Sequence, residues 1–295
     1  MKTSVACIPC FMRQTLDAAR LASDDPTLHE AVLRDVLAMA AELDLSQPPP
    51  ATGQQIHRII RSRTGITDPY KALKDRFNRF ALGWYPALKQ RVSDAHDPFE
   101  TAVRLAIAGN IIDFGLTGEL TEADVEQAVE ETLSASIDAV TLGALREAVA
   151  SAGTILYIAD NAGEIVFDRL LIETIPPEKV TVAVRGHAVI NDATRADADA
   201  VGLTTRVTVI DSGSDAPGTL LTDVSDVFRA CFDRADVVIA KGQGNYETLS
   251  DAPREVFFLL RAKCAVIADD IGCETGAVVV TRTDGVVQTE QTEGR

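Results

Sequence analysis

Two periodicities divide the chain. Up to about residue 150, apolar residues recur at three- and four-residue spacings, which is the stripe of an amphipathic helix. The stripe runs through Leu16 and Ala19, through AVLRDVLAMAAELDL, and through a segment carrying Leu73, Phe77, Phe80, Leu82 and Trp84. It continues in PFETAVRLAIAGNIIDFG, EADVEQAVEETL and IDAVTLGALREAVASA. The PPP at 48–50 is expected to end the second helix. Asp68 followed by Pro69 reads as an N-cap and first helical position. The PFETAVRLAIAGNIIDFG helix is expected to break at Gly109 or to run on to Gly115.

From about residue 153 the pattern changes to short apolar runs without clean alternation. TILYIAD, KVTVAVR, RVTVIDS, ADVVIAKG and CAVIADD read as five strands covered on both faces, hence a parallel sheet. The intervening segments are long enough for crossover helices, and GAVVVTR offers a further edge strand. The expected fold is therefore α/β. A helical portion (1–150) packs on a Rossmann-like, doubly wound, mainly parallel sheet (151–282), followed by a tail (283–295) expected to be mobile.

Composition narrows the class. Of the 295 residues, 46% are hydrophobic and 24% charged, the balance of a globular chain with a real core. No apolar run reaches the roughly 20 residues of a membrane span, and the start, MKTSVACIPCFMRQ, has no signal-peptide pattern. The expected setting is the cytoplasm, without a membrane partner. A net charge of −16 argues against a nucleic-acid partner, which needs a basic patch. A small anion at one local cationic site stays compatible with it, because distant charges are screened. Nothing in the pattern bears on the oligomeric state. The five cysteines are an odd number in a chain with no export signal, so they do not read as a disulfide framework. Cys7 and Cys10 form a single CxxC, two ligands short of a structural zinc site. It reads as a helix start with packed thiols, a partial metal site or a redox pair.

In open α/β sheets, ligands sit beyond the carboxyl ends of the strands. There the sequence places Asp160, Asn161, Gly163 and Glu164; then Arg185, Gly186, Asn191 and Asp192; then Asp211, Ser212 and Gly213; then Lys241, Gly242, Gln243, Gly244 and Asn245; and lastly Asp269 and Asp270. Carboxylate and amide oxygens suit hard divalent cations. Glycine loops admit a phosphate to backbone N–H groups, and a lysine adds positive charge. Together they form an electrostatic clamp for phosphoryl transfer. Simpler explanations compete. Asn161 with Glu164 fits a capping box, and Asn191 or Asp192 fits the N-cap of a helix starting at Ala193. KGQGN fits a plain glycine turn, with Lys241 a surface residue. In GNIIDFG, Asn110 and Asp113 share one helical face. They either terminate that helix or reach over the sheet edge to complete a site.

Several strings together resemble one family. CIPC, DPYKALKDRFN, AIAGNIIDFG, DNAGE, VINDAT, DSGSDAPGT, DVVIAKGQGNYETL and LLRAKC are similar to the motifs of metal-dependent damage-control phosphatases, in particular their short prokaryotic branch. The resemblance covers nearly the whole chain before the tail. It implies a divalent cation (Mn²⁺, Mg²⁺, Co²⁺ or Ni²⁺) held by Asp160, Asn161 and Asp192, with Lys241 near the phosphate and Asn110 and Asp113 lining the pocket. The implied reaction is hydrolysis of small phosphorylated metabolites, sugar phosphates among them. On this reading Asp160 and Lys241 take part in catalysis, with Asp113 orienting water or acting as base. Gly213, Gly242, Gly244 and Asn245 join Asn110 around the phosphate. A carboxylate nucleophile is the alternative to water. Two other classes remain in view: a Rossmann-like methyltransferase, whose GxGxG is missing after the first strand, and a non-enzymatic module holding metal through Cys7 and Cys10.

Overall fold

The structure is a computed structural model that describes residues 1–110 and 121–283. Among the described residues, seven α-helices precede the first strand: α1 (Ile8–Ala22), α2 (Pro26–Ala41), α3 (Pro49–Thr64), α4 (Lys71–Asp94), α5 (Pro98–Ala108), α6 (Glu122–Ser134) and α7 (Ala139–Ser151). Then follow β1 (Ile155–Ile158), α8 (Glu164–Ile172), β2 (Val180–Val184), α9 (Arg195–Ala200), β3 (Thr208–Asp211), α10 (Asp226–Arg234), β4 (Val237–Lys241), α11 (Gly242–Leu249), β5 (Phe257–Arg261), α12 (Ala265–Ile271) and β6 (Val278–Arg282).

The strands pair in the order β3-β2-β1-β4-β5-β6. All pairs are parallel except β5 with β6. The order reverses between β1 and β4, and this is where a doubly wound sheet opens its crevice. Strands β1 and β4 are buried along their whole length, which explains their unbroken apolar runs.

Three local expectations are corrected. CAVIADD forms helix α12, and the fifth strand is the preceding FFLLR of β5. A short apolar run does not distinguish a strand from a buried helix. The deciding signal lay just beyond it, at Gly272. This residue takes φ +81° and sends its N–H back to the Ala268 carbonyl, a left-handed helix cap. Asp269 and Asp270 therefore lie on α12 rather than at a strand end, and Asp270 accepts from the Tyr246 hydroxyl. The prolines at 48–50 do not close α2, which ends earlier at Ala41; they open α3, where a missing N–H costs nothing.

The change of pattern near residue 150 separates helices from strands but not cores. One apolar cluster joins Phe77, Leu105 and Leu145 of the helical portion to Tyr157, Phe167 and Ile239 around the sheet. Helices α1–α3 form a smaller cluster around Phe11, Val32, Ile56 and Ile60. Thr283 anchors the end of the described chain, accepting from the Val256 N–H and donating to the Arg254 carbonyl. The tail expected to be mobile lies, beyond Thr283, outside the described residues, and Asp113 lies outside them too. No helix among the described residues is long and apolar enough to cross a membrane.

Candidate functional site

At the carboxyl end of β1 the chain turns through Asp160, Asn161, Ala162 and Gly163 into α8. The loop after β2 runs back alongside it. The Ala193 N–H donates to the Asp160 carbonyl (2.7 Å) and the Ala162 N–H to the Asn191 carbonyl (2.8 Å). Asn161 and Asp192 consequently face each other in an isolated antiparallel bridge. Ile190, just before this pair, has φ +43°, the single non-glycine residue with positive φ among those described. A β-branched side chain pays for that conformation, so the surrounding contacts must hold it there.

Backbone lacing thus brings Asp160, Asn161 and Asp192 together. All three are nearly buried, and all line a cavity of about 680 Å³. The competing cap explanations fail on geometry. Helix α8 is capped at Gly163 without a side-chain bond, and Glu164 points inward instead of back to a cap. Helix α9 begins at Arg195, where Thr194 and Asp197 form the capping box. Asn191 and Asp192 therefore do not cap α9.

The amide of Asn161 has a defined orientation. Its Nδ2 donates to Asp160 Oδ2 (2.7 Å) and Glu164 Oε2 (3.0 Å), so its Oδ1, the atom suited to a cation, is turned away from both carboxylates. Arg185, fully buried at the end of β2, donates from Nε to Asp192 Oδ2 (2.6 Å) and lies 3.6 Å from Asp160 Oδ1. One guanidinium therefore steadies both carboxylates. A charge ending the buried run VTVAVR was the sequence signal for it.

The structure corrects the expected place of Lys241. Its ammonium is fully buried and donates to Glu164 Oε1 (2.7 Å), Asp168 Oδ1 (2.6 Å) and the Ala106 carbonyl (2.8 Å). It therefore does not line the cavity. Burial would lower this ammonium, but Asp168 and Glu164 outweigh burial and hold it above its ordinary value. Asp168 is pushed up to about 6 by burial, against the opposing charge of Lys241. The lysine acts through Glu164, which in turn holds Asn161 and accepts from Asn110 Nδ2 (3.0 Å).

The glycines and amides of the KGQGN string divide similarly. Gly242 opens α11 at φ +74° directly beneath Asp160. Gln243 and Gly244 line the cavity, and Gly244 packs against the Pro217 carbonyl too closely to admit a side chain. Asn245 is buried, bonded to Arg185, Thr219 and the Ala159 and Lys241 carbonyls. Gly213 is apart from the cavity, closely packed on Ser225 and Gly186.

Helix α4 supplies support that no spacing rule announced. Asn78 accepts from the Gly163 N–H (2.7 Å) and donates to Asp197 Oδ1 (2.9 Å), and Lys74 bridges Asp68 and Asp197. Within the DPYKALKDRFN string, these two polar residues tie the helical portion to the DNAGE and ND turns.

Glu247 and Lys263, unremarked in the sequence, also line the cavity. Glu247 is nearly buried, and burial raises its carboxyl to about 7. Lys263 is the one cationic side chain among the described residues that line this cavity. Cys7, Cys10 and Cys264 border it as well. Among the described residues no group of three or more His, Cys, Asp or Glu side chains is arranged to hold an ion. The set of Asp160, Asn161 and Asp192 is two carboxylates and an amide. An all-oxygen set of this kind fits a hard divalent cation that keeps several waters.

A family model for the damage-control phosphatase ARMT1-like domain matches residues 3–279. A damage-control phosphatase from Archaeoglobus fulgidus is 34% identical over 285 residues, covering 95% of this chain and 98% of that protein. Another, from Pyrococcus horikoshii, is 34% identical over 287 residues, covering 96% of this chain and 98% of that one. The crystal structure of a DUF89 family protein from Pyrococcus horikoshii matches with a TM-score of 0.87 at 33% identity, covering 96% of this chain and 99% of that one. On a match that spans both the helices and the sheet, the chain belongs to the damage-control phosphatase family with the ARMT1-like domain.

Proposed function

We propose that the protein is a metal-dependent phosphatase that hydrolyses small phosphomonoesters, sugar phosphates or damaged phosphometabolites. Family membership supports the enzyme class. The observation that carries the reading is the convergence of Asp160, Asn161 and Asp192 on one cavity at the sheet's switch point.

In this reading Asp160, Asn161 and Asp192 hold the divalent cation, which is Mn²⁺, Mg²⁺, Co²⁺ or Ni²⁺. When bound, such an ion supplies Lewis acidity and lowers the pKa of a coordinated water. The chain's own residues do the rest. Arg185 and Glu164 keep the three ligand side chains in place. The first-turn N–H groups of α11, at Gly242, Gln243 and Gly244, lack intrahelical acceptors and favour a phosphate oxygen. Lys263 takes over the cationic role once expected of Lys241. Asp113 orients the attacking water or accepts its proton.

The test is turnover of p-nitrophenyl phosphate and a panel of sugar phosphates by chelator-stripped protein. Activity is expected to vanish on stripping and to return with Mn²⁺ or Mg²⁺. Asp160→Ala and Asp192→Ala are expected to lose it at every metal concentration. Full metal-dependent turnover by Asp160→Ala would sink the assignment.

A further inference from the structure

Three of the five cysteines, Cys7, Cys10 and Cys264, border the cavity that holds Asp160, Asn161 and Asp192, and the phosphatase reading gives them no task. Cys7 and Cys10 are one helical turn apart at the start of α1. Cys7 is the N-cap of α1 with helical backbone angles (φ −76°, ψ −24°), and Cys10 lies one turn on. Helix geometry puts their Cα atoms about 5 Å apart. That is inside the window of roughly 4.4–6.8 Å that a disulfide spans. Both are free thiols here.

The two thiols differ in a way that divides the labour. Cys10 is exposed and open to attack from solvent, while Cys7 is partly buried. Burial raises the Cys7 thiol above its ordinary value; a backbone hydrogen bond at Ser4 opposes this, and Glu247, Cys264 and Cys10 add to it. Cys7 is thus the protected member, and it sits beside the buried carboxylate of Glu247. The remaining cysteines, Cys231 and Cys273, pack against an apolar cluster away from the cavity. A soft-metal site is less well supported than a dithiol, because no three ligating side chains among the described residues converge.

The geometry points to Cys7 and Cys10 as a redox-active dithiol on the wall of the cavity, with Cys10 as the entry thiol and Cys7 as the resolving one. The oxidant is a small-molecule disulfide. The Cys10 thiolate attacks one of its sulfurs, the S–S bond breaks, and one small thiol leaves. Cys7 then attacks the Cys10 sulfur of the mixed disulfide and expels the second small thiol. The protein loses two electrons and two protons, and both pass to the two thiols released. Closure of this bond at the start of α1 alters the wall of the cavity that Asp160 and Asn161 also line, so the cavity senses the thiol balance around it.

The readout needs no turnover and so stands apart from the phosphatase reading. The full chain is equilibrated in glutathione buffers of graded oxidation, quenched in acid, alkylated and cleaved with trypsin. Both thiols fall in one peptide, residues 3–13, while Cys264 falls in residues 264–282. The expected result is a single two-electron transition that yields a 3–13 peptide protected from alkylation and two hydrogens lighter. Cys7→Ser is expected to trap glutathione on Cys10, and Cys10→Ser to leave Cys7 largely unmodified. Full alkylation of both thiols at every ratio would overturn the proposal. So would a dominant cross-link to residues 264–282, or stoichiometric zinc kept by the reduced protein and released on alkylation.

Discussion

The carboxylate of Asp160 lies directly over the Cα of Gly242: a Cβ built there would fall 1.9 Å from Oδ2. The glycine of the KGQGN string is therefore a seat for the residue after β1. Its φ of +74° adds a second reason for glycine. Gly242→Ala is expected to displace Asp160. Displacements near an ångström cost on the order of 100-fold in rate. Turnover of p-nitrophenyl phosphate with saturating Mn²⁺ should fall by about that factor, while circular dichroism shows a folded protein. Unchanged turnover would show that Asp160 does not need this seat.

Lys241 offers a contrast between two roles. A lysine on a phosphate would, when removed, raise KM and leave stability alone. Here the ammonium sits between Glu164 and Asp168 in full burial. Lys241→Met strands two carboxylates in the core, and breaking such a group costs about 3–5 kcal/mol. Urea unfolding of the metal-free variant should show that loss. A raised KM without lost stability would restore the phosphate role.

Asn161→Asp probes the network from the other side. The wild-type amide donates to Asp160 and Glu164. A carboxylate there turns two hydrogen bonds into repulsion inside a buried cluster. The metal-free variant is expected to melt below the wild type. Mn²⁺ should then raise its Tm by more than it raises that of the wild type, because the cation relieves the repulsion. Equal Mn²⁺-induced shifts would remove Asn161 from the ligand set.

His57 predicts a pH dependence remote from catalysis. Its ring is buried, and its Nε2 has no partner among the described residues. Burial first, then Arg61, lowers it to about 4, against an opposing pull from Asp215. The unfolded state takes up the proton near pH 6.5. Between pH 6.5 and 4 the unfolded chain binds more protons, so stability falls as pH falls through this window. The contribution is on the order of 3 kcal/mol. His57→Leu should flatten the slope of unfolding free energy across that range. An unchanged slope would mean that His57 protonates without cost.

The halves of the fold were legible because their periods differ. Three-four spacing and unbroken β-branched runs leave little choice between helix and strand when the segments are long or repeated. The exception, CAVIADD against FFLLR, arose where both runs were short and apolar. Within the site, Asp160, Asn161 and Asp192 were legible from strand-end position and from the strings that carry the family resemblance. Lys241 was legible as important but not in its role, since a lysine after a strand looks the same whether it faces a phosphate or a pair of buried carboxylates.

Sequence alone determined the α/β class, the strand ends that carry polar residues and the family to which those strings point. These are local properties, set by side-chain period and by the rule that ligands gather at carboxyl ends of strands. Only the tertiary structure decided which polar groups face the cavity and which are spent inside the core. It turned Glu164 from cap to anchor, sank Lys241 between two carboxylates and set Arg185 against Asp192 and Asp160. It also brought Cys7 and Cys10 from the first helix to the wall of a cavity built by residues some 150 positions later, as at Asp160. Such pairings depend on where the chain returns in space, and no spacing along the sequence encodes a contact between segments so far apart.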